Sequence, residues 1–260
     1  MNKTTAFLSF LLLATLSGCS KWAGDPITQT FNIDGTYTEL EVHDAFCVTV
    51  SDAVDQVTVT VGENVMPYVV VKEDDNTLQI YLKGWHSNRG SDMKVILPYN
   101  AALTSVDLSG ASEFTSAFGL KGTEVEVDLS GSSDFEADIE ADDVVMELSG
   151  ASDIKGLVAA TNLSIDISGS SDANLQGQVS KLTIDFSGSS TLKKNIIGSQ
   201  YAIACTECEG DMSGASDAYI HCDGRIKMSL SGSSDLHYTG RASTTDCSTS
   251  GSSNNIHDVL

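Results

Sequence analysis

Basic residues are scarce: 14 lysines and arginines stand against 36 aspartates and glutamates, a net charge of −22. A field of that sign repels nucleic acid and anionic lipid head groups, excludes the first as a partner, and suits a basic partner or divalent cations. Also missing is any persistent apolar spacing of three and four, so helical architectures are excluded. No phosphate-binding loop and no nucleophile elbow occurs. No linker rich in proline or glycine divides the chain, which predicts one continuous structure.

What the chain has instead is repetition. Asp107-Leu108-Ser109-Gly110-Ala111-Ser112-Glu113-Phe114 returns in copies centred on Gly131, Gly150, Gly169, Gly188, Gly214, Gly232 and Gly251, at steps of 21, 19, 19, 19, 26, 18 and 19 residues. A period near twenty marks a stacked solenoid. Counting from each glycine as zero, positions −6, −4 and −2 are apolar (Val125, Val127, Leu129; Leu163, Ile165, Ile167) and those between are polar. That alternation is a half-buried strand, and Ser-Gly-(Ala/Ser)-Ser-(Asp/Glu) is a tight corner whose glycine accepts a positive φ. Apolar residues follow at +4 (Phe114, Phe135, Ile154) and at +8 (Phe118, Ile139, Val158, Ile196, Val259). One such unit cannot bury its apolar face alone, whereas the next coil stacked upon it buries it fully. The fold class is therefore all-β, a right-handed parallel β-helix over residues 101–260.

Residues 1–18 read as a leader: Lys3, an apolar run from Phe7 to Leu16, then Leu16-Ser17-Gly18-Cys19. The run is too short to span a bilayer as a helix. The last four residues resemble a bacterial lipobox, which makes Cys19 the acylated first residue of a lipoprotein and the membrane its partner through that lipid. An ordinary secretory signal is the alternative. Residues 19–26 form a tether. Residues 27–100 lack the repeat but carry strands at Phe46–Val50, Val57–Val61, Tyr68–Lys72, Thr77–Leu82 and Met93–Leu97, a hairpin turn at Glu73-Asp74-Asp75-Asn76, and one helical turn from Glu63 to Pro67. This region reads as the N-terminal cap of the column, leading into the ladder through Pro98-Tyr99-Asn100. The 26-residue step implies a seven-residue bulge within Ile197 to Gly210 that brings Cys205 and Cys208. The chain's last residues are too few for an obvious cap, so the open end is a candidate surface for homo-oligomers.

Two acidic ladders are expected. Position −3 carries Asp107, Asp128, Glu147, Asp166, Asp185 and Asp211; position +3 carries Glu113, Asp134, Asp153, Asp172, Asp217 and Asp235, broken by Thr191. The +3 carboxylates read as corner groups accepting backbone N–H bonds, with the serines at −1 and +2 adding donors. Calcium held between coils by Asp134, Asp153, Asp172, Asp217 and Asp235 is the alternative, with no other cofactor implied. Among Cys47, Cys205, Cys208, Cys222 and Cys247, local disulfides or packing is the leading reading; Cys205, Cys208 and Cys222 with His221 imitate a zinc or redox site but lack a second pair at the right spacing. For ligands, Trp85, His86, Asn88 and Arg89 form a polar loop with an aromatic, and Tyr219, His237 and Tyr238 are expected to project outward from adjacent coils.

An enzyme would need two carboxylates about 5–10 Å apart in a cleft, or a base beside bound calcium. The acids single out no pair, and Lys155, Lys181, Lys193, Lys194, Arg225, Lys227 and Arg241 fall at scattered repeat positions. The Ser-Gly-(Ser/Ala)-Ser repeat, the preceding β region with Thr77-Leu78-Gln79-Ile80-Tyr81-Leu82, and the lipoprotein start are similar to the putative auto-transporter adhesin "head GIN" domain family of Bacteroides-type cell-envelope proteins. The resemblance covers about residues 37–257. It implies a β-helix and an envelope location on the outer membrane, either face. It supplies no catalytic residues. The expected function is a non-catalytic module for adhesion or scaffolding that binds glycan or protein; a polysaccharide lyase or hydrolase and a purely structural envelope protein are the alternatives.

Overall fold

In the computed structural model, which describes residues 23–84, 92–198, 200–243 and 246–259, the period-two pattern becomes a stack of parallel coils. The coils are built from β8 after an N-terminal set: β1 (Pro26–Phe31), β2 (Glu39–Val42), β3 (Phe46–Ser51), β4 (Val57–Gly62), β5 (Val69–Asp74), β6 (Thr77–Leu82) and β7 (Met93–Pro98). The column itself comprises β8 (Ser105–Leu108), β9 (Glu113–Leu129), β10 (Asp134–Leu148), β11 (Asp153–Ile167), β12 (Asp172–Phe186) and β13 (Thr191–Leu192). After a small hairpin, β14 (Ile196–Ile197) and β15 (Gln200–Tyr201), it resumes with β16 (Ile203–Met212), β17 (Asp217–Leu230), β18 (Asp235–Thr239), β19 (Ser248–Thr249) and β20 (Asn254–His257). No α-helix occurs among the described residues; the helical turn expected from Glu63 is a short 3-10 turn, Met66–Tyr68.

Register carries the sequence period into space. Leu148 pairs with Leu129 on one side and Ile167 on the other, and Met146 likewise with Val127 and Ile165. All of these are buried, and the Phe114 and Phe135 rings stack at 5.3 Å between centroids with their planes 15° apart. At every corner the glycine φ lies between 75° and 80°. A Cβ on Gly150 would sit 2.4 Å from the carbonyl oxygen of Gly131, which is also the oxygen that accepts the Ala151 N–H at 2.8 Å. The backbone ladder thus turns the corner without interruption, and only because no side chain stands there.

Of the two groups expected to close the corner, the serine does so and the carboxylate does not. Serine at +2 points inward and is buried, and at seven of the eight corners its hydroxyl donates to the carbonyl of the serine at −1, as Ser133 Oγ to Ser130 O at 2.8 Å and Ser152 Oγ to Ser149 O at 2.9 Å. No +3 carboxylate among the described residues accepts a corner N–H. A buried hydroxyl needs a partner, while an outward carboxylate has water.

Three apolar +8 positions also leave the core. The coil after Gly110 is two residues longer than the one after Gly131, so Ile139 pairs with Leu120 and Phe118 is displaced into a half-buried bulge. Ile196 and Val259 are exposed. The seven extra residues lie between Leu192, still in register with Ala173, and Ile203, in register with Gly177. The bulge is therefore the β14–β15 hairpin, and Cys205 and Cys208 are on the strand after it, not in it.

In the N-terminal set the chain stacks out of order. β2 pairs in parallel with both β6 and β8, and β3 with both β7 and β9, so the first coil lies between the second and the third. Asp44, φ 75°, occupies the corner place that glycine holds elsewhere. Antiparallel strands finish this end: β5 against β6, and β1 against β4 against β7. At the other end Leu230, Leu236 and Tyr238 are overlaid by Thr249, Asn255 and His257. The inward row turns polar in its last coil, which closes the apolar column by composition.

Candidate functional site

The side walls are ladders of like residues. Asp107, Asp128, Glu147, Asp166, Asp185 and Asp211 are register neighbours, and Glu41 extends the row beneath Asp107. Asp107, Asp128, Glu147 and Asp166 of this row, with Ser130, Ser149 and Ser168, line a shallow groove of about 300 Å³. The +3 ladder runs from Glu113 through Asp134, Asp153 and Asp172, and donors meet it: Cys47 Sγ at 3.3 Å from Glu113, Lys193 Nζ at 3.1 Å from Asp172, Asn254 Nδ2 at 2.7 Å from Asp235. Among the described residues no three His, Cys, Asp or Glu side chains converge as a metal site would require.

Rungs about 4.8 Å apart place like charges where they repel by roughly 0.9 kcal/mol per pair even in water. Partial burial, and then the neighbouring carboxylates, push Asp128, Asp134, Asp166 and Asp217 above the usual carboxylate range; burial does the same to Asp107. A folded-state pKa above the unfolded one means that the native chain binds the proton more tightly. The penalty is full above the folded pKa and is relieved as pH falls through it. The melting temperature is therefore expected to rise between about pH 6 and about pH 4.5, as pH falls toward the raised carboxylate values, and added NaCl at pH 8 to recover part of the difference. A flat or falling profile over that window would show that the ladders are not under strain.

A second cluster surrounds the hairpin. Tyr219 and His237, on adjacent coils, stack at 4.6 Å with their planes 14° apart, and Tyr201 meets Tyr219 edge-on at 5.4 Å. Lys194 Nζ stands 5.6 Å from the Tyr219 centroid. The Tyr201 hydroxyl donates to the Asp258 carboxylate, which also lies 3.0 Å from His237 Nδ1. Burial, then that carboxylate, pushes the Tyr201 phenol upward. These faces are covered by one another, and the cluster fastens the C-terminal residues to the hairpin. Tyr238 does not project outward as expected: it is 8 % exposed and stacks on His257 at 4.8 Å. Position +6 has inward parity, which the alternation in the sequence already implies. Cys19 and the loop residues Trp85, His86, Asn88 and Arg89 lie outside the described residues.

The family profile described as "Putative auto-transporter adhesin, head GIN domain" matches residues 36–157 and again 146–242. The chain belongs to this family. Solved structures similar to this head GIN protein include a putative adhesin from Parabacteroides distasonis, at 19 % identity and TM-score 0.77, covering 90 % of this chain and 98 % of that one. A putative adhesin from Parabacteroides merdae matches at 21 % identity and TM-score 0.77, over 90 % and 97 % of the two chains. A protein titled a putative lipid binding protein, also from P. distasonis, gives 22 %, TM-score 0.71, and the same 90 % and 97 %. None of the curated proteins matches the sequence. At these identities the neighbours share the fold.

Other chemical groups of this head GIN chain are engaged with one another. Cys205 and Cys222 are inward register neighbours, Cys208 Sγ lies 3.9 Å from Met228 Sδ, and all five described cysteines are free thiols. Contact with Cys208 and burial push the Cys205 thiol far up, so it stays protonated and a weak nucleophile. His221 sits on the opposite face of its strand, 3.0 Å from Thr239 Oγ1, so the zinc-like set of three cysteines and a histidine is not assembled. Five of the seven candidate lyase bases are tied between coils: Lys155 to Glu136 at 2.7 Å, Lys181 to Glu209, Lys193 to Asp172 at 3.1 Å, Arg225 to Glu207, Arg241 to Asp223 at 3.6 Å.

Proposed function

We propose that this head GIN protein is a non-catalytic, adhesin-like module of the cell envelope that binds an extended glycan along its side walls. The carrying observation is the shape of those walls. Open grooves of about 300 and about 340 Å³ each cross four or more consecutive coils, the second lined by Lys155, Leu157, Asn174, Gln176 and Asn195. Amides, hydroxyls and carboxylates thus recur at rung spacing, which suits a polymer with repeating hydroxyls better than a single small molecule. Family membership supports the adhesin-like part. The acidic charge favours neutral over anionic chains. The reading includes a lipid on Cys19 that holds the body at the outer membrane, and edge pairing of copies at the C-terminal coil.

A glycan-array screen of the full chain, run with Ca²⁺ and with chelator, tests it. Binding in both conditions, with no new reducing ends or unsaturated products, is the expected result. Absence of binding in either condition counts against the glycan, leaving a protein partner, and turnover counts against a non-catalytic role.

A further inference from the structure

A cleft of about 440 Å³ opens among the N-terminal strands and shares no lining residue with the side-wall grooves. Its volume falls within the range of small-molecule sites, roughly 300–1,000 Å³. Three segments distant in sequence form it: the loop from Ile33 to Tyr37, the turn from Val54 to Gln56, and Pro98 to Ala101. They meet because the first coil is inserted between the second and third, which brings β2, β3 and the end of β7 to one corner.

Each wall is fixed before any ligand arrives. Tyr99 is 45 % exposed, and its ring leans on Phe118 at 4.8 Å with the planes 33° apart, so one side is supported and much of the ring remains open. The bulge in the first long coil is what delivers Phe118 to that place. Asn100 is clamped by two backbone bonds, Nδ2 to Tyr37 O at 2.7 Å and Oδ1 from Ala102 N at 2.9 Å, with one N–H and one lone pair left over. Gln56 Oε1 accepts the Ile33 N–H at 2.7 Å, which leaves its two amide hydrogens unused. Asp34 and Asp55, also in the lining, are exposed carboxylates. The loop carrying Asp34 is strapped down by Glu73, whose carboxylate accepts the N–H groups of Asp34, Gly35 and Thr36 at 3.0, 3.0 and 2.9 Å.

One group in the lining is unfinished. Tyr37 is 1 % exposed, and its buried hydroxyl has no hydrogen-bond partner of good geometry. The Asn100 side chain lies beside it, yet burial still pushes the phenol up to about 12. That hydroxyl is closed off from solvent, so it lies behind the cleft and offers a ligand no direct contact.

From this geometry we infer that the cleft is a carbohydrate subsite for a neutral, polyhydroxylated sugar ring. The ring's apolar face lies on Tyr99, and its hydroxyls meet Asn100, Gln56, and Asp34 or Asp55. An aromatic ring beside amides and carboxylates matches the two characters of a sugar, apolar C–H faces and hydroxyls that both donate and accept. Acidic walls exclude uronates, sulfated sugars and sialylated ends. The inference rests on the glycan reading above but names a site that the side walls do not include.

The test is calorimetric titration of the full chain with neutral hexasaccharides of glucose, xylose, mannose and N-acetylglucosamine, and with sialyllactose as the charged probe. At least one neutral probe binds and sialyllactose does not. Tyr99→Ala weakens binding about tenfold or more at unchanged melting temperature. Gln56→Glu keeps the oxygen that accepts the Ile33 N–H but removes the free amide hydrogens, and weakens binding severalfold at unchanged melting temperature. A stability effect alone would lower the melting temperature, so the two readouts separate, and Gln56→Glu decides the matter if Tyr99→Ala does not fold. Unchanged affinity in both variants places the glycan elsewhere and overturns this site while leaving the glycan reading intact. Failure of every neutral probe overturns both, and preference for sialyllactose overturns the assigned class.

Discussion

Gly150→Ala lowers the free energy of unfolding by roughly 2–6 kcal/mol, measured by urea denaturation followed by far-UV circular dichroism. Two separate effects add. An L-residue held at φ 78° carries strain of about 1–3 kcal/mol. The new methyl group then overlaps the Gly131 carbonyl oxygen at 2.4 Å, where backbone cannot yield without breaking the rung to Ala151. Overpacking of that kind costs a further 1–3 kcal/mol or so. Gly198 separates the two: its φ is 65°, yet no atom lies within 4 Å of its would-be Cβ. Gly198→Ala should therefore show the strain alone, about 1–3 kcal/mol. Equal losses at the two positions would mean that close stacking at the corner contributes nothing, against the picture of glycines touching glycines up the column.

That picture could be read directly from the sequence because the column is nearly one-dimensional. When each coil touches only its neighbours, a period in the text becomes a contact in space, and Leu129, Leu148 and Ile167 needed no further information to be placed. Departures from the period were harder. The seven extra residues near Lys193 could be counted, but their position could not be fixed, because the repeat pattern is degenerate between Leu192 and Gly210. Serine at +2 was the better guide to the corner bond: all eight copies have it, whereas +3 admits Thr191 and Asn254. Parity would also have turned Tyr238 inward.

The N-terminal cleft could not be read from the sequence at all. Residues 27–100 have no period, so nothing in them states that β2 enters between β6 and β8. Tyr99 appears in the text only as part of a lead into the ladder. It becomes a candidate platform once Phe118 is displaced behind it and Tyr37 is carried beneath Asn100 by out-of-order stacking. Long-range order of this kind depends on which edges remain open, and local patterns are silent on that.

Phe135→Ala removes the largest side chain in the middle of the column and is expected to cost about 3–5 kcal/mol. Phe135 is 2 % exposed, stacked on Phe114 on one side and in register with Ile154 on the other, so no surface group can collapse into the gap. The position matters as much as the size. Stability in a solenoid is approximately a sum of coil terms and nearest-neighbour interface terms, and this truncation weakens two interfaces together. Leu236, also fully buried, has the polar Asn255 above it in the last coil, so Leu236→Ala should fray only β18 to β20. Amide hydrogen exchange distinguishes the cases: Phe135→Ala should raise exchange in β9, β10 and β11 and split the unfolding transition, while Leu236→Ala should raise it at the C-terminal coils alone. A uniform rise along the whole column in both variants would show global rather than neighbour coupling, and would remove the reason for reading contacts from the period.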